Sequence, residues 1–272
     1  RRQASDVYKR QVQSRIKKGN RSIDGGTTRI GIRLAEFRGK EGFWLNGKPF
    51  GQLVGANRHQ DFAYVGNALP NSQQWRDAKR LRDAGCTIIR VAHYPQDPSF
   101  MDACDELGLF VIVATPGWQY WNKDPKFGEL VHQNTREMIR RDRNHPSIFC
   151  WSIGNEVIER KKLEVVTTAR KLADYVHKFD PSRPVTSALA AWDNDWEIYD
   201  PLAAVHEIVG YNYLLHRAPV DHQRVPSRVI MQTESYPRDV FANWSLVNDH
   251  DYIIGDFVWT CLLYTSPSPR DY

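Results

Sequence analysis

The chain has 272 residues, 41% of them hydrophobic, and a formal net charge of +5, which fits one large domain or one domain with part of another. The basic excess is local: residues 1–21 carry eight Lys and Arg against Asp6 alone, a net +7, which leaves −2 on the remainder. That excludes the basic face nucleic-acid recognition needs, and no apolar run approaches the roughly 18 residues of a membrane helix, so neither nucleic acid nor membrane is an expected partner.

In chain order, residues 1–11 read as a tail that is foreign to the fold or disordered. Residues 12–16, the turn-like Lys18-Gly19-Asn20 and the alternating run 27–37 read as a hairpin. Residues 12–42 would then be the C-terminal hairpin of a β-sandwich domain. Residues 43–50 form a second hairpin, with Asn46-Gly47 supplying the positive φ values of a tight turn, and would lie under or beside the domain built by the later residues.

Short apolar runs then alternate with helical patterns. Strands are expected at 52–57, 87–92, 109–114, 147–153, 184–188, 208–213, 228–232 and 252–259, and helices at 72–84, 98–107, 128–143 and 162–179. Ser72 is the expected N-cap of the first helix, and Gly85 and Gly108 stop the first two. Eight strands alternating with helices predict an α/β fold, a TIM (β/α)8 barrel over residues 43–260. An open doubly wound sheet is the alternative, but no glycine-rich phosphate loop follows the first strand. Residues 261–272 run into a Ser/Pro segment that reads as a second foreign or disordered tail. The barrel is therefore expected to lack its last helix and to close weakly.

Cys86, Cys104, Cys150 and Cys261 have neither metal-ligand nor disulfide spacing and leave the compartment unread; Cys86 and Cys150, at or in apolar strands, read as small buried hydrophobes. Trp44, Trp75, Trp151, Trp192, Trp196 and Trp244 read as packing residues, His145-Pro146 as a turn, and Arg58 as the partner of a barrel carboxylate.

Barrel chemistry sits at C-terminal strand ends, and two strands there finish in a glutamate: the run ending Gly154-Asn155-Glu156 and the run ending Gln232-Thr233-Glu234. Two carboxyl groups facing one pocket are the signature of acid/base and nucleophilic work on a glycosidic bond. Trp118, Trp121 and Trp259 fall beside polar groups at strand ends, where a pyranose ring can stack.

Asn57-Arg58-His59, Arg90-Val91-Ala92-His93-Tyr94-Pro95, Asn144-His145-Pro146-Ser147, Trp151-Ser152-Ile153-Gly154-Asn155-Glu156 and Thr233-Glu234-Ser235 resemble, in the same order, motifs of the catalytic barrel of glycoside hydrolase family 2. That family holds β-galactosidases, β-glucuronidases and β-mannosidases, and the likeness covers about residues 27–260. It implies a remnant of an immunoglobulin-like β-sandwich before the barrel. It also implies a retaining β-glycosidase, β-galactosidase-like, that hydrolyses terminal β-linked sugars. By that resemblance Glu156 is the acid/base and Glu234 the nucleophile, with the carboxyl groups about 5 to 5.5 Å apart. Asn155 would donate to the sugar 2-hydroxyl, Tyr213 touch the nucleophile, and His59, Asp61, His93 and Trp259 line the pocket; Arg90, from a neighbouring strand, would hold Glu234 charged. Some β-galactosidases of the family carry an acidic metal motif after strand three, where this chain reads Ala114-Thr115-Pro116-Gly117, so no metal and no cofactor are expected. The expected partners are a carbohydrate substrate and the N-terminal sandwich domains of a longer parent, with homo-oligomer formation by that parent left open. The alternatives are a catalytically silent carbohydrate-binding or assembly fragment, and an endo-acting β-mannanase- or cellulase-like barrel.

Overall fold

Strands β1 (Tyr8–Lys18) and β2 (Arg21–Ile32) form an antiparallel ribbon turned at Gly19, whose φ of 58° suits glycine. In this computed structural model, which describes residues 8–38, 41–117, 122–157, 162–190 and 196–262, the register opens at Tyr8↔Ile32, so residues 8–11 lie in a strand rather than a tail. Val12, Ile16 and Ile32 leave the ribbon with exposed apolar side chains. Arg29 ties it to the body through Glu106 at 3.2 Å.

Strands β3 (Ala35–Phe37), β4 (Phe43–Leu45) and β5 (Lys48–Pro49) make a small antiparallel sheet. Asn46 (φ 52°) and Gly47 (φ 73°) form the expected turn. Phe37, Phe43 and Phe50 pack on Phe110 and Phe149 with ring centroids 5.1 to 5.7 Å apart. Those partners open two barrel strands, so the sheet plugs the N-terminal mouth.

The barrel strands are β6 (Leu53–Arg58), β7 (Ile88–Val91), β8 (Phe110–Ala114), β9 (Ile148–Asn155), β10 (Val185–Ala190), β11 (Ile208–Asn212), β12 (Val229–Ser235) and β13 (Ile253–Leu262). All eight are parallel and pair in chain order, and β13 pairs β6 from Gly255↔Leu53 to Leu262↔Arg58. The weak closure expected from sequence is therefore not seen in the pairing, because strand-to-strand hydrogen bonds and interior packing close the ring. Inward residues Leu53, Ile88, Phe110, Ile208 and Val229 fill its lower half. Gly55 leaves room for Phe257: a Cβ there would meet the Phe257 ring at 2.3 Å.

The helices are α1 (Asn71–Asp83), α2 (Pro98–Leu107), α3 (Pro125–Asp142), α4 (Leu163–Phe179), α5 (Asp200–Ala203), α6 (Ala218–Arg224) and α7 (Val240–Asp249). Two expectations about helix starts are corrected. Pro70, not Ser72, occupies the N-cap of α1, its carbonyl accepting from the Gln73 and Gln74 N–H groups. Helix α3 starts at Pro125 because the Asp124 carboxylate accepts the Lys126 N–H at 2.9 Å, and proline at the first position sacrifices no bond. Helices α5 to α7 were not expected: α5 and α6 are too short for a clear apolar period, and α7 buries only Asn243 and Val247 and so lacks a continuous apolar face.

Outward strand residues Ile89, Val91, Val111, Val113 and Trp151 pack beneath α1 to α4. Trp151 anchors there, its indole N–H donating to Asp180 at 3.0 Å, while Trp196 is likewise buried; Trp118, Trp121 and Trp192 lie outside the described residues. Arg58 pairs with Asp77 at 2.7 Å with both side chains fully buried. Cys86, Cys104 and Cys150 are buried free thiols, and burial pushes the Cys104 and Cys150 pKa values up, away from thiolate chemistry. His145 Nδ1–H donates to Asp105 Oδ2 at 2.7 Å and, with the Ser147 N–H on the same carboxylate, shapes the turn into β9.

Candidate functional site

Strict alternation would turn both strand-end motifs the wrong way. On β12, Met231 faces the interior and Ile230 the helices, so Glu234 would share the outward face of Ile230. The pairing slips at that point: Tyr211↔Gln232 is followed by Asn212↔Glu234, so Thr233 is one extra residue. On β9, Cys150 faces inward and Trp151 and Ile153 outward. There Thr186↔Ser152 is followed by Ala188↔Asn155, again one residue gained. Each β-bulge reverses the facing of the residues after it and brings Asn155 and Glu234 to the barrel axis. Gly210 makes space for the β12 bulge at Thr233, since a Cβ there would sit 2.7 Å from the Ser187 carbonyl oxygen and 2.8 Å from Thr233 Cγ2.

Arg90, 1% exposed on β7, is the hub. Its Nη1 donates to Glu234 Oε1 at 2.7 Å and to Asn57 Oδ1 at 3.0 Å. Its Nη2 donates to Asn155 Oδ1 at 2.6 Å and lies 3.4 Å from His93 Nδ1. A guanidinium only donates, so the Asn155 oxygen is committed to it, which leaves the Asn155 Nδ2 hydrogens to serve as donors. By the same logic His93 Nδ1 is the acceptor and its proton sits on Nε2, 3.7 Å from Glu234 Oε1. The Tyr213 hydroxyl donates to Glu234 Oε2 at 2.8 Å. Asn212 Nδ2 donates to Glu156 Oε1 at 2.9 Å. Glu156 (φ 49°) and Tyr213 (φ 61°) both hold left-handed backbone conformations, an expensive choice for side chains of their size and one that clusters at functional sites.

The electrostatics separate these groups. Burial raises the Glu234 pKa and outweighs Arg90, which lowers it; the Glu156 charge raises it further, and the Tyr213 hydroxyl opposes. Arg90 thus favours the charged form of Glu234 and offsets part of a larger desolvation. Burial, then Arg90 and His59, hold His93 down to about 2, so its approach to Glu234 is that of a neutral ring. Burial and Arg90 also lower His59, against the pull of Asp61.

Of the residues read from sequence, Arg90, His93, Asn155, Glu156, Tyr213 and Glu234 converge in one network. Trp259 and His93 stack at 5.3 Å, with His59 edge-on to Trp259 at 5.4 Å. Asp61 sits at the rim, close enough to act on His59 and Tyr94. Sequence reasoning missed Asn57, Asn212 and Thr233 as members. Asn57 Nδ2 donates to the Thr233 carbonyl at 2.9 Å and so fixes the bulge. For Asn57 and Asn212 the available signal was an amide at the end of an apolar strand, the same signal that marks Asn155.

An eight-stranded parallel barrel of the TIM type, carrying two glutamates from separate strand ends into one buried polar network, defines the class. Residues 36–260 match the model of the glycosyl hydrolases family 2 TIM barrel domain, and the chain belongs to that family. It is 40% identical over 237 residues to a β-galactosidase of Thermoanaerobacter pseudethanolicus, covering 85% of this chain and 30% of that protein. A β-glucuronidase of Bacteroides fragilis is 36% identical over 192 residues, covering 67% of this chain and 27% of its own. A crystal structure of a family 2 member from Bacteroides cellulosilyticus superposes with a TM-score of 0.87 at 34% identity, over 95% of this chain and 35% of that one. The chain thus spans about a third of the length of the relatives it matches.

Proposed function

We propose that the protein is a retaining β-glycosidase that removes a terminal β-linked sugar, with Glu234 as nucleophile and Glu156 as acid/base. The observation that carries this reading is the unequal company of the two carboxyl groups. Glu234 accepts from the Arg90 guanidinium and the Tyr213 phenol, and Glu156 Oε1 accepts from the Asn212 amide. Donors of the first kind suit a carboxylate that must attack as an anion; a neutral amide suits one that must gain and lose a proton. A Glu234 oxygen attacks the anomeric carbon, the glycosidic C–O bond breaks, and the Glu156 proton goes to the departing oxygen. Glu156 then takes a proton from water, whose oxygen displaces Glu234 and restores both groups. The Asn155 amide donates to the sugar 2-hydroxyl, His59, Asp61 and His93 supply polar contacts, and Trp259 offers a ring face.

Galactose is the first choice of sugar, supported by the name of the 40% identical relative; glucuronate is the second. Residues 12–42 are read as the end of a preceding sandwich domain and 43–260 as the catalytic barrel. The exposed apolar residues of the β1–β2 ribbon support that division. A panel of nitrophenyl β-glycosides tests the sugar, and proton NMR of the first-formed product tests the stereochemistry. The reading requires the β anomer first; the α anomer first contradicts it.

A further inference from the structure

Which oxygen of Glu156 carries the proton is decided by a chain of fixed donors that begins at Arg90. Arg90 Nη2 can only donate, so Asn155 Oδ1, 2.6 Å away, is an acceptor. The Asn212 amide atom 3.3 Å from that same oxygen must then be nitrogen, because two amide oxygens would repel there. The opposite end of the Asn212 amide then presents Oδ1 to Thr233 Oγ1 at 2.6 Å, which gives it the single hydroxyl hydrogen in preference to the Tyr211 carbonyl at 3.2 Å. The amide therefore has one orientation, and its Nδ2 faces Glu156 Oε1 at 2.9 Å. Asn212 is 1% exposed, so water does not compete for this contact. An amide nitrogen has no lone pair to accept a proton carried on Oε1, and the carbonyl oxygen of a carboxylic acid is the better acceptor of the amide N–H, so this contact favours Oε1 as the carbonyl.

We propose that Asn212 is a positioning residue that keeps the acid proton of Glu156 on Oε2, the oxygen that then delivers it to the leaving group. The proposal rests on the reading of Glu156 as proton donor. In the first step the proton on Oε2 passes to the departing oxygen as the C–O bond breaks, and Asn212 then stabilises the carboxylate through Oε1. In the second step the water proton returns to Oε2. Thr233 serves twice, as the extra residue that turns Glu234 inward and as the clamp that orients Asn212, so the two carboxyl groups are set by one bulge.

The test uses the full-length protein with the phenyl and 2,4-dinitrophenyl β-D-galactopyranosides, or the matching glucuronides if those are the ones cleaved. Phenol departs only with a proton, whereas dinitrophenolate departs without one. Asn212→Ala should lower kcat/KM for the phenyl glycoside about tenfold or more, the range of a lost hydrogen bond to a charged group, and change the dinitrophenyl value less than about twofold. Thr233→Val, which keeps the side-chain shape, should show the same pattern more weakly, and it carries the test alone if circular dichroism shows Asn212→Ala unfolded. Equal losses on both substrates, or no loss, overturn the proposal. Glu156→Gln separates the two levels. If it shows the leaving-group dependence and the Asn212 and Thr233 variants do not, only this inference fails; if it too lacks the dependence, the underlying assignment of Glu156 fails.

Discussion

Arg90 reaches Glu234 across the barrel interior, Nη1 to Oε1 at 2.7 Å, with side chains 1% and 5% exposed. The pair joins β7 to β12, strands separated by β6 and β13 in the ring. A buried carboxylate so held is costly to strip of its partner, about 3–5 kcal/mol in comparable pairs.

Arg90→Lys keeps the charge but replaces a planar fork by one nitrogen, which cannot serve Glu234, Asn155, Asn57 and His93 together. The expected loss in kcat/KM is about a hundredfold or more, with a lowered melting temperature. Steady-state kinetics and thermal denaturation of the variant check both. Unchanged kinetics would remove Arg90 from the mechanism.

Burial and the neighbouring Glu234 charge push the Tyr213 hydroxyl well above the ordinary phenol range, so it donates across the working pH range. Tyr213→Phe removes one of the groups that lower Glu234, whose pKa burial already raises. Glu234 acts as an anion, so activity climbs with pH through its pKa, and a higher pKa moves the acid limb of kcat/KM to higher pH. A displacement of about one pH unit is expected from a lost charge-assisted bond. A pH–rate profile measures it, and a shift toward lower pH contradicts the assignment.

Gly210→Ala places a methyl 2.7 Å from the Ser187 carbonyl oxygen and 2.8 Å from Thr233 Cγ2. Overpacking of this kind costs about 1–3 kcal/mol, and the shift falls on the bulge that aims Glu234. Activity should therefore drop more than stability. Gly128→Ala in α3 is the control: nothing lies within 4 Å of its Cβ, and alanine in a helix should stabilise by about 0.5–1 kcal/mol. Denaturant melts and kinetics of both variants separate the effects.

Asp256, buried on β13, accepts from Ser235 Oγ at 3.1 Å, and burial pushes its carboxyl pKa up to about 6 from 3.8. The folded state thus binds this proton more tightly than the unfolded one. Its contribution to stability is fully present below about pH 4 and is lost as pH rises to about 6, by about 3 kcal/mol in all. Asp256→Asn keeps an oxygen for Ser235 and should remove that slope, raising the urea midpoint at pH 7 and leaving it nearly unchanged at pH 4. An equal midpoint shift at both values contradicts this account.

The barrel was legible because each strand is a short apolar run and each long helix repeats its apolar face. Glu156 and Glu234 were legible because a carboxylate closing such a run is rare without a task. Their facing was not legible. The extra residues at Thr233 and before Asn155 are fixed by contacts far apart in sequence, such as the Asn57 amide on the Thr233 carbonyl. Asn212 escaped for the same reason, since its role depends on Arg90, Asn155 and Thr233 arriving from three other strands. The start of α3 turned on Asp124-Pro125, a local cap outside the apolar period.

The central claim is that Glu234 forms a covalent bond to the sugar. Incubating the full-length protein with 2,4-dinitrophenyl 2-deoxy-2-fluoro-β-D-galactopyranoside, or its glucuronide counterpart, followed by digestion and mass spectrometry, tests it directly. The account predicts a fluorosugar ester on Glu234, formed in step with loss of activity. An ester on another residue, or inactivation with Glu234 unlabelled, would contradict it.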